Sequence, residues 1–431
     1  MASHFKLSKY VFALKRKNTV ILWNSILGGC AVVSLDQYDK ICENVIDETD
    51  FTGFELAKLE KSNILIDKDS NEESVFAHQR NTVVEEVMKC ERLKTLELSV
   101  SEQCNYKCVY CTFWRNAGQK KRKYILPEVA KLAVEDFLEI SKPQKRVLIY
   151  FGTAEPTLNW NVISSIAPLA RRIRPDVVLS LITNGSLITK DNLEFCKEYG
   201  IKVGISLDGK PETQRRQRVP ISNSIDSSAV IKNLLRVGRE IDFKFSCLSA
   251  TYRDVGFKKD IDYLIPLCRE NGIKEFDLDF DVNGLNEANM EVVLSELLYG
   301  YKKTIEFGLD IFGYWLIPFF NIIKGGTDLK SFCGNVVGES VCVSSDGGFK
   351  LCGYETSNIF DYTSLRSHLQ SIEFKSICED RLLGLNPQCN VCMIEGLCNG
   401  HCFLINHDSE SWTQACHFYQ LATKKLLANY A

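Results

Sequence analysis

The sequence lacks a strong excess of charge, a long apolar run and a signal-like start. Its 52 lysine and arginine residues nearly balance its 55 aspartate and glutamate residues, for a formal net charge of −3 at pH 7, which is unlike a nucleic-acid binder or a disordered chain. No apolar run is long enough to span a bilayer, and residues 1–10 are polar with no signal-like core after them. We therefore expect a cytoplasmic protein that binds neither nucleic acid nor membrane.

Cysteine, in contrast, is abundant, with 18 residues in a chain of 431. In a secreted protein this abundance would indicate disulfides, but in a reducing compartment it indicates metal or redox chemistry. A chain of this length is expected to fold into two or three domains.

The most informative group is Cys104, Cys108 and Cys111, which directly follows a strand-like apolar run over residues 96–100. Three thiolates leave one iron of a cubane [4Fe–4S] cluster without a cysteine ligand, so that iron can bind a substrate or cofactor. The alternative is half of a zinc site or a chance grouping. Zinc usually takes four ligands from two paired halves, and no Cys-x2-Cys partner lies nearby in the sequence.

The Cys-x3-Cys-x2-Cys spacing resembles the motif of the radical S-adenosylmethionine (radical SAM) superfamily. The resemblance implies that the open iron chelates the amino and carboxylate groups of S-adenosylmethionine and that the reduced cluster cleaves its sulfonium. The radical product then abstracts hydrogen from unactivated carbon, which makes the three cysteines catalytic as well as metal-binding. Tyr110 matches an aromatic residue that lies against the adenine in that family. Its alternative role is to pack within the loop.

A second cysteine-rich constellation lies toward the carboxyl end. Its spacing is Cys-x13-Gly-x4-Cys, then Cys-x2-Cys-x5-Cys-x3-Cys, then one further cysteine, and it resembles the SPASM extension of radical SAM enzymes that modify peptides. The resemblance implies two auxiliary [4Fe–4S] clusters. The first would be bound by Cys333, Cys342, Cys352 and Cys402, and the second by Cys389, Cys392, Cys398 and Cys416. A zinc ribbon or accidental spacing is the alternative.

Strand-like and helix-like segments alternate between the two cysteine groups. The predicted strands are 146–151, 177–182, 201–207, 243–250 and 275–280, and the predicted helices are 127–141, 161–173, 190–199, 229–240 and 257–271. This alternation indicates an α/β fold with right-handed βαβ units and a parallel sheet. With the strand before Cys104 there are six units, the number in the partial (β/α)6 TIM-like barrel of the superfamily that the chain resembles.

The turn after the second predicted strand resembles a cofactor-binding motif of the same family. Many relatives have Gly-Gly-Glu-Pro there, a segment that holds the methionine ammonium. This chain has Thr153 and Ala154 in place of the two glycines, followed by Glu155. Glycine normally allows close backbone approach to a ligand, while a carboxylate and exposed carbonyls suit an ammonium group.

Two later turns and one arginine extend this resemblance. The third predicted strand ends in Thr-Asn-Gly at Asn184, and the fourth ends at Ser206 and Asp208, which the resemblance assigns to the ribose and methionine end of the cofactor. Arg218 matches an arginine that can pair with the cofactor carboxylate. Its alternative role is that of a solvated residue in a basic loop.

The first 92 residues belong to neither cysteine-rich region. Predicted strands cover 10–14, 19–24, 30–34 and 63–67, and predicted helices cover 35–45, 51–60 and 72–92. This order resembles the winged-helix module that is fused to many maturases of ribosomally made peptides and binds a leader peptide as an added strand. The alternative is an elaboration that merely covers the barrel.

Together the resemblances predict three domains: a leader-recognition domain over 1–92, a radical SAM barrel over 93–310 and a SPASM domain over 311–431. We expect an enzyme that cross-links a precursor peptide through a thioether or carbon–carbon bond, with a ferredoxin or flavodoxin as electron donor. Two auxiliary clusters favour cross-linking, because bond closure after hydrogen abstraction leaves one electron over.

Two other functions stay open at this point. An anaerobic sulfatase maturase, which oxidises cysteine or serine to formylglycine, generally has an aspartate directly after the equivalent of Cys352, where this chain has Gly353. Asp277, Asp279 and Asp281 could supply another base, although alternate strand residues share one face and buried carboxylates repel each other. The other function is a non-catalytic electron carrier or iron–sulfur scaffold, which would not cleave S-adenosylmethionine.

Overall fold

The structure is a computed structural model of the chain. It describes residues 4–43, 46, 50–117, 123–253, 256–355, 364–382, 387–405 and 409–430. The chain divides into two compact units, of which the first comprises Met1–Glu86, Tyr314–Val337 and Lys375–Ala431, and the second Val87–Gly313 and Gly338–Phe374. The amino-terminal and carboxyl-terminal segments thus belong to one unit, and the division into three domains stays a prediction.

The amino-terminal segment forms two small antiparallel sheets and three helices. Its elements are β1 (Phe5–Leu7), β2 (Val11–Lys15), β3 (Thr19–Asn24), β4 (Cys30–Ser34), α1 (Leu35–Cys42), α2 (Gly53–Lys61), β5 (Leu65–Asp67) and α3 (Glu72–Met88). β1 pairs with β5, and β2, β3 and β4 form a sheet in that order. Ser34 and Thr52 begin α1 and α2 with capping boxes, which satisfy amide groups at the helix starts. The order of elements is the predicted one except for β1, which was not predicted, and the winged-helix assignment stays a prediction.

The second unit is built around a long parallel sheet. Its elements up to the end of this run are β6 (Thr95–Ser99), α4 (Thr112–Ala117), α5 (Pro127–Ile140), β7 (Leu148–Gly152), α6 (Trp160–Ile173), β8 (Val178–Thr183), α7 (Lys190–Glu198), β9 (Ile201–Ser206), α8 (Pro211–Gln217), α9 (Ser227–Glu240), β10 (Cys247–Tyr252), α10 (Lys258–Glu270), β11 (Glu275–Phe280), α11 (Met290–Glu306) and β12 (Asp310–Phe312). Strands β6 to β12 are parallel neighbours in chain order. The predicted α/β fold with a parallel sheet is therefore confirmed.

The remaining elements contribute to both units. They are α12 (Ile317–Lys324), β13 (Ser340–Val343), β14 (Phe349–Lys350), α13 (Leu365–Leu369), α14 (Ile372–Asp380), α15 (Glu395–Cys398) and α16 (Glu410–Asn429). β13 pairs in parallel with β6, and β14 pairs antiparallel with β13. The sheet of the second unit therefore runs from β12 at one edge to β14 at the other.

The two faces of this sheet differ in polarity. Successive residues of a strand point to opposite faces, and on β6 the fully buried Leu96 and Leu98 alternate with Glu97 and Ser99. The leucine face belongs to the apolar core, so the polar residues share the opposite face. Among the described residues, no helix combines the length and the apolar character that a membrane span requires.

Candidate active site

The three cysteines of the first motif lie in the loop between β6 and α4. This loop is held by backbone hydrogen bonds from Lys107 to Val219 at 2.7 Å and from Val109 to Gln217 at 2.9 Å. Between the cysteines, Tyr106 is fully buried. The segment that carries the three thiols is therefore fixed at a carboxyl end of the parallel sheet, the edge at which α/β proteins bind ligands.

The thiols of this loop affect one another electrostatically. Burial raises the pKa of Cys104, and Cys108 and Cys111 raise it further. Burial also raises the pKa of Cys108 to about 12, while the nearby Arg218 opposes this rise. Three neighbouring thiols next to a guanidinium are of a type that suits a metal cluster, since thiols must lose their protons to bind metal. In the described part of the chain, no three His, Cys, Asp or Glu side chains lie close enough together to hold a single metal ion.

The turn after β7 keeps a glycine-like backbone although two side chains replace the glycines. Thr153 and Ala154 have φ angles of +62° and +42°, in the left-handed region that glycine adopts without cost. The hydroxyl of Thr153 hydrogen-bonds to Ser99 at 2.8 Å and donates to Glu97 at 3.2 Å. These contacts on the polar face of the sheet stabilise a strained turn, which is a common feature of functional sites.

Glu155 is nearly fully buried, and its carboxylate joins two strand ends. It accepts hydrogen bonds from the Thr183 hydroxyl at 2.7 Å, from the Asn184 amide at 2.8 Å and from both the amide and the hydroxyl of Thr157. Burial raises its pKa, and these donors oppose the rise. Since both carboxylate oxygens bind protein groups, a cofactor ammonium would meet the carbonyls of this turn rather than the Glu155 carboxylate.

Asn184 connects the end of β8 to the cysteine loop. Its side-chain amide donates to the side chain of Asn105 at 2.9 Å, and its carbonyl oxygen accepts from the Ser186 amide at 2.9 Å. The same amide lies 3.9 Å from the sulfur of Cys104. Asn184 and the first cysteine are therefore neighbours, as expected of residues that serve one site.

The third group lies after β9 and centres on Asp208, which is fully buried. Its carboxylate accepts hydrogen bonds from Arg218 at 2.8 Å, from the Tyr110 hydroxyl at 2.7 Å and from the Thr251 amide at 3.0 Å. The guanidinium carbon of Arg218 lies 5.5 Å from the centre of the Tyr110 ring. Tyr110, Asp208 and Arg218, which are predicted site residues from three separate segments, thus form one cluster.

Sequence reasoning missed one residue that shapes this cluster. Gln214 accepts a hydrogen bond from the Asp208 amide at 3.0 Å and donates to the carbonyl of Ser206 at 3.3 Å. It lies in the basic stretch that favours a solvated loop, yet Gln214 and Arg218 are both buried. Gln214 and Gln217 lie four and one residues before Arg218. Residues three or four apart share one face of a helix, so this spacing could have indicated a helical turn that faces inward.

Four of the carboxyl-terminal cysteines lie near one another. Cys389, Cys392 and Cys416 all raise the pKa of Cys398, after the larger effect of its burial. The four predicted ligands of the second auxiliary cluster therefore lie near one another within the first unit. Their number and spacing suit a second cubane, because each thiolate can bind one iron.

The predicted ligands of the first auxiliary cluster divide between the units. Cys342 and Cys352 belong to the second unit, where Cys352 contributes to the raised pKa of Cys342 after burial. Cys333 and Cys402 belong to the first unit, where both lie close enough to Arg381 to affect its pKa. This ligand set stays a prediction.

Comparisons with known proteins agree with this geometry. Residues 98–252 match the model of the Radical SAM superfamily. The chain is 25% identical over 427 residues to radical SAM cyclopropyl synthase TigE from Paramaledivibacter caminithermalis, covering 92% of this chain and 89% of that protein. The match to TigE extends well beyond the radical SAM domain in both directions.

Two solved structures share the fold. The first is native anSMEcpe with bound AdoMet, with a TM-score of 0.60 and 19% identity, over 78% of this chain and 98% of that one. The second is SuiB from Streptococcus suis bound to precursor peptide SuiA, with a TM-score of 0.53 and 17% identity, over 93% of this chain and 96% of that one. These two likenesses show the fold alone. The family match shows a radical SAM domain over residues 98–252, and the three-cysteine loop lies near its start, directly after the first parallel strand.

Proposed function

We propose that the protein is a peptide maturase that forms an oxidative bond within a ribosomally made precursor peptide. The observation that carries the proposal is the similarity to TigE over 92% of the chain, because it includes the amino-terminal and cysteine-rich segments as well as the radical SAM domain. A cyclopropyl group arises by carbon–carbon closure. Of the two cross-links expected from the sequence, this similarity favours the carbon–carbon bond over the thioether.

The residues of the first site suit their proposed roles. Cys104, Cys108 and Cys111 would hold the cluster that binds S-adenosylmethionine, which when reduced supplies the radical chemistry. Arg218 would offer a guanidinium to the cofactor carboxylate. The left-handed turn at Thr153 and Ala154, together with Asn184 and Ser206, would bind the remaining polar groups of the cofactor. Asp208 would serve the same site by holding Tyr110 and Arg218 in place.

The proposed reaction removes two hydrogens from the peptide. One leaves as a hydrogen atom, and the other leaves as a proton together with one electron, so an electron acceptor is required. We assign this role to auxiliary [4Fe–4S] clusters bound by the eight carboxyl-terminal cysteines. Cys389 and Cys392 raise the pKa of both Cys398 and Cys416. The four thiols therefore lie near one another, which supports one such cluster.

The amino-terminal segment would recognise the leader of the precursor peptide. In the sheet β2–β3–β4, the outer strands β2 and β4 have no strand partner other than β3 among the residues that the structure describes. An extended leader could add to such an edge by main-chain hydrogen bonds. A low-potential ferredoxin or flavodoxin is the proposed electron donor.

The surroundings of Gly353 argue against the alternative function, formylglycine formation. A Cβ added there would lie 2.2 Å from the Thr153 hydroxyl and 2.3 Å from a carboxylate oxygen of Glu97. The position at which sulfatase maturases generally have an aspartate is therefore occupied here by the side chains of two other residues. A different activity on peptides is thus expected.

The test is anaerobic reconstitution with iron and sulfide, followed by incubation with reductant, S-adenosylmethionine and candidate precursor peptides from neighbouring genes. Formation of 5′-deoxyadenosine with loss of two hydrogens from a leader-bearing peptide supports the proposal. An aldehyde at cysteine or serine would instead indicate a formylglycine-forming enzyme. Absence of 5′-deoxyadenosine from fully loaded protein would revive the electron-carrier interpretation.

A matched pair of variants makes the test specific. Cys108→Ala removes a proposed cluster ligand, while Cys42→Ala removes an exposed cysteine outside every proposed set. The first should form no 5′-deoxyadenosine, and the second should behave as the wild type.

A further inference from the structure

On the polar face of the large sheet, some groups beside the proposed cofactor site have no proposed role. Ser206, Ser249 and Asp277 are direct neighbours on β9, β10 and β11. On β6 and β7, Glu97 is the direct neighbour of Tyr150. Since direct neighbours across a sheet point to the same face, Asp277 shares a face with Ser206, a residue of the proposed cofactor site.

Two tyrosines lie near both Glu97 and Asp277 and mark one region of this polar face. The carboxylates of Glu97 and Asp277 both contribute to the raised pKa of the Tyr150 phenol, after the larger effect of burial. They contribute in the same way at Tyr354, together with Cys111. Tyr354 is 45% exposed. Asp277 and Cys111 of the cysteine loop therefore both lie near Tyr354.

Most carboxylates near this part of the sheet already accept hydrogen bonds that hold neighbouring segments together. Asp208 accepts hydrogen bonds from Arg218 and Tyr110, and Glu155 joins two strand ends. Glu97 accepts from the Thr153 hydroxyl with one oxygen and from the Gly353 amide with the other, at 3.2 and 3.4 Å. These three groups are thus engaged on both carboxylate oxygens.

Asp277 differs from them in its hydrogen bonding. Its Oδ2 accepts a hydrogen bond from the Ser249 hydroxyl at 2.8 Å, and no described residue donates to its Oδ1. The residue is only half-buried. Ser249 fixes the carboxylate by one oxygen and leaves the other for a ligand.

We propose that Asp277 is the proton acceptor of the bond-forming step, positioned by Ser249. This inference rests on the proposed function. Abstraction of one hydrogen atom by the 5′-deoxyadenosyl radical leaves a carbon radical on the peptide. As the new bond closes and the second hydrogen leaves, its proton would pass to Oδ1 of Asp277. An oxidised auxiliary cluster held by the carboxyl-terminal cysteines would take up the remaining electron.

The surroundings of Asp277 hold its pKa above the ordinary aspartate range. Burial raises its pKa, and the Ser249 hydrogen bond and the charge of Arg218 oppose this rise. The other titratable groups that face it are Cys247, Tyr150 and Tyr354, whose own pKa values it raises. A general base works best when its pKa lies near the operating pH.

The test compares Asp277→Asn with Asp310→Asn, a matched change at an exposed carboxylate on β12. With a deuterated core peptide, Asp277→Asn should still transfer deuterium into 5′-deoxyadenosine at close to the wild-type rate. Its formation of closed peptide should fall about 10²–10⁴-fold, the usual contribution of a general base. Asp310→Asn should match the wild type in both measurements.

The pH profile provides a second measurement. The rate at which the wild-type protein forms the new bond within the peptide should increase with pH through an ionisation above the usual aspartate range, because only the carboxylate can accept a proton. The pH profile of Asp277→Asn should lack this increase. Ser249→Ala removes a hydrogen bond that lowers the pKa of Asp277, so the increase should move to higher pH. Closure by Asp277→Asn at the wild-type rate, or parallel loss of deuterium transfer, would overturn the inference. If the wild type itself closes no peptide, the proposed function fails instead.

Discussion

The guanidinium of Arg218 donates to the carboxylate of Asp208 at 2.8 Å, and Asp208 is fully buried. Removing one partner of a buried ion pair leaves the other charge uncompensated, which typically costs about 3–5 kcal/mol. We predict that Arg218→Met lowers the free energy of unfolding by about this amount and weakens binding of S-adenosylmethionine. Denaturant titration and equilibrium dialysis measure the two effects.

The control for this change is Arg215→Met. Arg215 pairs with Asp226 at 2.9 Å, but both side chains are largely exposed, so Arg215→Met should destabilise the protein much less than Arg218→Met. Equal destabilisation by the two variants would contradict the importance of the Arg218–Asp208 pair.

A second prediction concerns the close packing at Gly353. A Cβ at this position would lie far inside contact distance of Thr153 and Glu97, so Gly353→Ala should lower the free energy of unfolding by about 1–3 kcal/mol, as expected of overpacking. Denaturant titration measures the change. Gly284→Ala is the matched control, because its Cβ would meet nothing closer than 3.6 Å. A neutral Gly353→Ala would show that the Glu97 side chain is not held at this place.

Arg381 provides a prediction about the auxiliary clusters. Its pKa is lowered by burial, while the nearby Cys402, Cys389 and Cys333 raise it, so its positive charge lies close to proposed ligands of both clusters. A positive charge stabilises the more negative, reduced form of a cluster. We expect Arg381→Gln to lower the potential of an auxiliary cluster by on the order of 50 mV, which is close to a tenfold change in a one-electron equilibrium.

The potential is measured by redox titration followed by electron paramagnetic resonance. Lys375→Gln is the control, since Lys375 is exposed on α14 and pairs with Glu379. Unchanged potentials in Arg381→Gln would place the clusters elsewhere than at these cysteines.

The cysteine sets can be separated by their effects on iron content. Cys416→Ala removes a proposed ligand of the second auxiliary cluster, so we predict less iron per chain and loss of closed peptide, with continued formation of 5′-deoxyadenosine. Cys196→Ala removes a buried cysteine of α7 that belongs to no proposed set, and its iron content should not change. Iron and sulfide assays together with product chromatography test this difference. Loss of 5′-deoxyadenosine in Cys416→Ala would contradict the division of roles.

Local patterns sufficed to predict the repeating part of the fold. The predicted strand over 275–280 coincides with β11, because apolar and polar residues alternate there without interruption. The strand predicted over 243–250 begins later, as β10 at Cys247. The buried Phe243 and Phe245 extend the apolar run before the ladder starts, and composition alone does not show where pairing begins.

Contacts between distant segments could not be predicted in the same way. β13 pairs with β6 although more than 240 residues separate them, and a strand of four residues carries little local signal. The contact of Glu97 with Gly353 depends on the same long-range pairing. The motif did identify Arg218, but only the structure shows that Gln214 and Tyr110 complete the surroundings of Asp208.

The most direct test of the account measures peptide mass and 5′-deoxyadenosine in one anaerobic reaction. Reconstituted protein, reductant and S-adenosylmethionine are incubated with a candidate precursor peptide and, separately, with its core segment alone. We predict 5′-deoxyadenosine and loss of two hydrogens from the leader-bearing peptide, with much slower change of the isolated core. 5′-Deoxyadenosine without loss of hydrogen from any candidate peptide, or equal conversion with and without the leader, would contradict the proposed leader-dependent maturase.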